Sequence, residues 1–110
     1  MNEIRQFKAS IFQALAHPTR LQILEVLHDG EMSVSAILSR IGRDQANISQ
    51  HLGNLRIRGL VINRKEGNQV FYSVRDPILF KVLALMRRYS TTHLNEHMAL
   101  LKRFKAERLR

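Results

Sequence analysis

A carboxamide donates and accepts hydrogen bonds from one planar end, and the major-groove edge of adenine offers that same pair of contacts. Gln50 and Asn54 carry such ends four residues apart, with Asn47 and Ser49 on their flanks. Ala46 and Gly53 share that side of a helical wheel and are small enough to let a backbone approach a groove floor. Opposite them, Ile48, Leu52 and Leu55 recur at the spacing of one apolar helical stripe. Asp44 is a good N-cap for that helix, and Gly59 stands where it should stop. Residues 44–58 therefore read as a DNA recognition helix. An ordinary amphipathic surface helix is the competing reading of the same pattern.

A second cluster lies towards the C-terminus. His93 and His97 are four apart with Glu96 beside them, a spacing at which imidazoles chelate zinc or nickel. Two such ligands from each of two chains would complete a tetrahedral set. The same pattern arises on a solvated or interfacial helix, and that reading is preferred, so no metal and no cofactor is expected. There is no cysteine, which excludes disulfides, thiolate metal sites and thiol redox switching. Serines and histidines occur, but nothing arranges a Ser-His-acid set near a suitable turn, and no Gly-rich phosphate loop is present. An enzyme is not expected.

The chain that must position these groups has 110 residues, enough for one domain with a modest core. Its 18 Lys and Arg against 9 Asp and Glu give a net charge of +9, which favours a polyanionic partner. Nucleic acid is the first candidate and an anionic membrane surface the second. No apolar run is long enough to span a bilayer. Residues 1–10 lack the apolar core of a signal peptide. A cytoplasmic protein with no membrane partner is expected.

In residues 3–16, Ile4, Phe7, Ile11, Phe12 and Leu15 repeat at helical spacing. Two Phe on a terminal helix suggest docking against the core or a partner subunit. His17-Pro18-Thr19-Arg20 closes that helix and starts another, whose stripe Leu21, Ile23, Leu24 and Leu27 is expected to be buried before Asp29-Gly30 ends it. Residues 31–34 are short and extended, and Ser33 suits the cap of a third helix over 34–40. Ile41-Gly42-Arg43 then turns tightly into Asp44, the arrangement of a helix-turn-helix with the second helix as reader. After Gly59 the pattern becomes β-branched and aromatic over 60–66 and 69–75, with Gly67-Asn68 between them as a hairpin turn. A basic hairpin directly after a reading helix is a wing. Arg64 and Lys65 near its tip, with Asn68 and Gln69 at the turn, are predicted to reach phosphate or the minor groove. Solvated edge charges are the alternative. Asp76-Pro77 opens a long helical run carrying Ile78, Val82, Leu85, Met86, Tyr89, Leu94, Met98, Leu101 and Phe104. Ser90-Thr91-Thr92 leaves open whether this is one helix or two. The stripe is long for so small a domain, so part of it is expected to pack on a second copy. Lys102, Arg103, Lys105, Arg108 and Arg110 make a basic tail.

Three segments, ALAHPTRLQIL at 14–24, ISQHLGNLRIRGLV at 48–61 and RKEGNQVFYSV at 64–74, resemble the ArsR/SmtB family of dimeric bacterial winged-helix regulators. The resemblance implies a mostly α fold with a β-hairpin wing and one winged-helix domain over 1–110. It implies a core at 14–75 and dimerisation helices at 1–16 and 77–108. It implies a homodimer on double-stranded DNA at a roughly palindromic operator, with repression relieved by a ligand. By the same resemblance Gln45, Asn47, Ser49, Gln50 and His51 fall where the family contacts DNA. His51 could equally hydrogen-bond a neighbouring element.

Two departures concern sensing. Where metal-sensing relatives carry a cysteine pair, this chain has Ser33 and Ser35, and a hydroxyl is a poor ligand for soft ions such as As(III), Cd(II) or Pb(II). Where a zinc site would use an Asp-x-His on the terminal helix, Asp76 is followed by Pro77 and Ile78, and Thr92 stands near the distal position. Neither site transfers, and the effector stays open. The expected function is a sequence-specific DNA-binding repressor with helix 44–58 in the major groove and wing 60–75 near the minor groove. A non-specific or architectural nucleic-acid-binding winged helix and a protein-interaction winged helix are the alternatives.

Overall fold

A computed structural model of the chain describes residues 2–109; Met1 and the tail's Arg110 lie outside them. The chain divides after Pro77 into two compact units. The first contains α1 (Asn2–Leu15), α2 (Pro18–Leu27), β1 (Met32–Ser33), α3 (Val34–Ile41), α4 (Gln45–Ile57), β2 (Val61–Glu66) and β3 (Gln69–Val74). The second is α5 (Ile78–Arg108).

Side chains written into the sequence start three of these helices. His17 Nδ1 accepts from the Thr19 N–H at 3.1 Å, with Pro18 in the first turn of α2. Ser33 Oγ accepts from the Ala36 N–H at 3.1 Å, and Asp44 Oδ1 from the Asn47 N–H at 2.8 Å. Each satisfies one of the donors a helix start leaves unpaired, which is worth about 1 kcal/mol. The end of α4 is as specific. Gly59 adopts φ +76°, its N–H bonds the Arg56 carbonyl, and the Leu60 N–H bonds the Leu55 carbonyl at 2.9 Å. This paired closure is a Schellman motif, which needs a left-handed residue at the glycine. Leu55 and Leu60 are both buried beneath it.

Ile23, Leu24 and Leu27 of α2, Ile37 of α3, Ile48, Leu52 and Leu55 of α4 and Val61 of β2 form the core, each essentially without solvent exposure. Burying each stabilises the fold by about 1.5–3 kcal/mol. Leu21 corrects the expected stripe: it is 37% exposed, because on a helical wheel it lies away from the arc shared by Ile23, Leu24 and Leu27.

The hairpin is one part of a three-stranded antiparallel sheet ordered β1-β3-β2. Glu66 pairs with Gln69 across the two-residue turn, and Gly67 takes φ +60° while no other residue of the turn has positive φ. Glycine at the first turn position fits a type II′ hairpin. Met32 and Ser33 pair with Tyr72 and Phe71 on the other edge of β3. The wing is thereby fastened to the start of α3.

In the second unit, α5 is a single helix through Ser90-Thr91-Thr92. Thr92 Oγ1 donates to the Arg88 carbonyl at 3.0 Å, so its hydroxyl is satisfied inside the helix instead of capping a new one. No helix among the described residues is long and apolar enough to cross a membrane.

Candidate nucleic-acid interface

The apolar stripe of α4 points into the core, and this fixes what faces out. Gln45, Ala46, Ser49 and Gln50 are exposed. Asn47 and Asn54 are half-buried, and their Oδ1 atoms are shut from solvent without a hydrogen-bond partner. They stand at the margins of the outer face, not on it. Ile57, 79% exposed between Arg56 and Arg58, adds an apolar group at the far end of the helix that the helical-wheel reading did not single out.

The first turns of α3 and α4 and the turn of the wing enclose a cleft of about 280 Å³. Gln45 and Ser49 line one wall, Asn68 and Gln69 another, and Ser33, Ser35 and Tyr72 contribute to the rest. Four residues singled out from two separate stretches of sequence thus share one groove, whose lining also includes the apolar Val34, Leu38 and Val70. Ser33, Ser35 and Tyr72 carried no sequence signal for it, because only the pairing of β1 with β3 brings them there.

His51 faces the other way. It is 8% exposed, and its Nδ1 accepts from Arg20 Nε at 3.1 Å. Its ring lies 4.2 Å from that of His17, tilted by 44°. Burial first, and then the neighbouring His17, Arg20 and Arg43, hold the imidazole below its usual value. Of its two readings, the hydrogen bond to a neighbouring element is the one present in the fold. Burial and the hydrogen bond to Arg20 hold it inside.

On the wing, Arg64 is engaged by protein. Its Nε donates to both carboxylate oxygens of Glu31 at 3.0 and 2.9 Å, and its Nη1 meets Glu66 Oε2 at 2.7 Å. The guanidinium lies over the ring of Phe71, its cross-strand neighbour, at 4.6 Å. The two carboxylates push its pKa up, and Glu31 is pulled below the usual carboxylate value chiefly by the hydrogen bond from Arg64. Lys65, Asn68 and Gln69 are exposed, and Lys65 makes no ion pair among the described residues.

On α5, His93 Nδ1 lies 3.4 Å from Glu96 Oε2, and its ring meets Tyr89 at 4.6 Å. Among the described residues no three His, Asp or Glu side chains gather to hold a metal ion.

Residues 15–63 match a family described as a helix-turn-helix domain. The chain is 38% identical over 102 residues to Rv0081 of Mycobacterium tuberculosis, an HTH-type transcriptional regulator, spanning 92% of this chain and 90% of that protein. The crystal structure of Rv0081 superposes with a TM-score of 0.77 over 86% of this chain and 96% of that one. The transcriptional activator HlyU of Vibrio cholerae is 41% identical over 78 residues, 71% of this chain and 72% of HlyU. The solution structure of the homodimeric winged helix-turn-helix DNA-binding domain of Mb0332 from Mycobacterium bovis, a possible ArsR-family regulator, is 32% identical. Its TM-score is 0.77, over 84% of this chain and 86% of that one.

Proposed function

This chain belongs to the ArsR/SmtB family of winged helix-turn-helix transcriptional regulators, and from that premise we propose that it works in the cytoplasm as a homodimeric, operator-specific repressor. The observation that carries the proposal is the shared cleft. It brings Gln45 and Ser49 of α4 into one lining with Asn68 and Gln69 of the wing, which supports a duplex seated on α4 meeting both. Gln45, Ser49 and Gln50 read base edges in the major groove. Lys65, Asn68 and Gln69 hold the adjacent backbone or minor groove. Asn47 and Asn54 serve at the margins of that contact, and Arg64 shapes the wing.

A second copy covers the apolar faces. Ile4, Phe7 and Phe12 of α1, and Val82, Leu85, Met86, Tyr89, Met98 and Phe104 of α5, are all exposed in the single chain. That is more apolar surface than a soluble monomer ordinarily leaves open. Two-fold pairing presents two α4 helices to successive major grooves, so the operator is a palindrome with half-sites about one helical turn apart. All of 1–110 acts as one regulator, with 14–75 reading and 1–16 and 77–108 pairing. A dimer seated there excludes polymerase, hence repression. Activation is the second reading, favoured by the similarity to HlyU.

Selection of bound duplexes from a random pool tests the proposal. A palindromic consensus with half-sites about 10 base pairs apart is expected; equal affinity for selected and unselected DNA would overturn it. A promoter reporter carrying the consensus separates repression from activation.

A further inference from the structure

Arg20 has no place in the interface above, yet it touches three helices. It sits in the first turn of α2. In the last turn of α1, its Nη1 donates to the Ala14 carbonyl at 3.2 Å and reaches the Gln13 carbonyl, which also accepts from the Ala16 N–H, at 3.5 Å. Its Nε donates to His51 in the middle of α4. We infer that Arg20 is the positioning residue of the recognition helix, fastening α4 to the α1–α2 corner through the neutral imidazole of His51.

The bond specifies a protonation state. An Nδ1 that accepts from Arg20 leaves the ring proton on Nε2, so the imidazole is neutral. A second proton would turn Nδ1 into a donor aimed at a donor. The groups that act on His51 are His17 at the cap of α2, Arg20 in its first turn, and Arg43 from the turn before α4. No titratable group on α3 or β2, the other elements packed on α4, is among them. A protonated His51 therefore meets cations and no counter-charge, while His17 is occupied by the Thr19 N–H at Nδ1 and offers no acceptor there. With its pKa below the ordinary 6.5, the neutral state and the fastening are complete above 6.5 and are lost as pH falls through the lowered value. Acid thus loosens α4 from the corner that carries α1.

The consequence for DNA rests on α4 being the reader; the fastening itself does not. Two arms keep them apart. In the free protein, the backbone amide resonances of Gln45–Ile57 should follow the titration of His51. They should stop doing so in His51→Gln, which keeps an acceptor and cannot titrate. In Arg20→Lys, which cannot serve the carbonyls and the imidazole together, the His51 midpoint should rise. Indifference of α4 to the His51 titration, or an unmoved midpoint in Arg20→Lys, overturns the inference; the second variant decides if the first does not fold. On DNA, affinity for the selected operator should fall at least about tenfold in the wild type as pH drops from about 7.5 to below the His51 midpoint read in the free protein, and only slightly over the same range in His51→Gln. Affinity for random duplex should hold or rise in both, since added positive charge favours phosphate. An identical operator profile in both proteins overturns the inference and leaves the reader standing. A coupled titration with no operator ever bound leaves the inference standing and removes the reader.

Discussion

Arg64 and Glu31, 33 residues apart in sequence, meet side-on, with Nε on both carboxylate oxygens and Nη2 on Oε1 at 2.6 Å. The most engaged cation of the wing is therefore a strut between the wing and the segment entering β1. A phosphate approaching it must compete with Glu31 and Glu66. Glu31→Gln should strengthen binding to operator and random duplex alike, about two- to fivefold, and steepen the salt dependence by about one counterion. Weaker binding would show that Glu31 holds Arg64 in its working position instead of withholding it.

The same pair predicts an acid response. Arg64 holds the Glu31 carboxyl below its ordinary 4.5. A depressed carboxylate contributes stability that is complete above 4.5 and is lost as pH falls through the lowered value. Both groups are exposed, so the contribution is small. The Glu31 carboxyl carbon, followed by NMR, should titrate below 4.5 in the wild type and move up in Arg64→Ala.

Reading and holding separate by substitution. Gln45→Ala with Gln50→Ala should cut discrimination between operator and random duplex by about 1–3 kcal/mol while changing random binding little. Lys65→Ala should weaken both equally and lower the salt slope by about one. Competition binding at two salt concentrations distinguishes them. Equal losses on both duplexes in the glutamine pair would remove base reading from α4.

Phe7→Glu places a charge on the exposed face of α1. Sedimentation should show a monomer, circular dichroism an intact helical fold, and footprinting a loss of operator protection. A dimer that persists unchanged would assign pairing to α5 alone.

As(III) and Cd(II) should leave an operator complex intact, because positions 33 and 35 are serine and the chain holds no thiol. Release at stoichiometric metal would require a site built from other ligands.

Helix positions, caps and the wing turn were legible in the sequence because each rests on local chemistry. Ser33, Asp44, Gly59 and Gly67-Asn68 act within a few residues of where they stand. What the sequence left open depends on partners far along the chain. The role of Arg20 is not legible in His17-Pro18-Thr19-Arg20, since nothing local reveals that His51 lies beside it. Arg64 looked like a free cation because Glu31 comes from another strand's approach. On α4, Gln45, Ser49 and Gln50 face out, while Asn47, His51 and Asn54 turn part or all of the way in. The buried Ile48, Leu52 and Leu55 decide that rotation, and a helical wheel places a residue only to within its arc.

Ser33 has two duties at once: its backbone pairs with Phe71 at the edge of the wing sheet, and its hydroxyl caps α3. A thiol here is a poor substitute for the capping oxygen, and a thiolate committed to a metal caps nothing. Changing Ser33 to Cys alone would forfeit about 1 kcal/mol of helix stability before any metal could return it. A cysteine at position 33 would therefore carry a folding cost until a bound metal offset it.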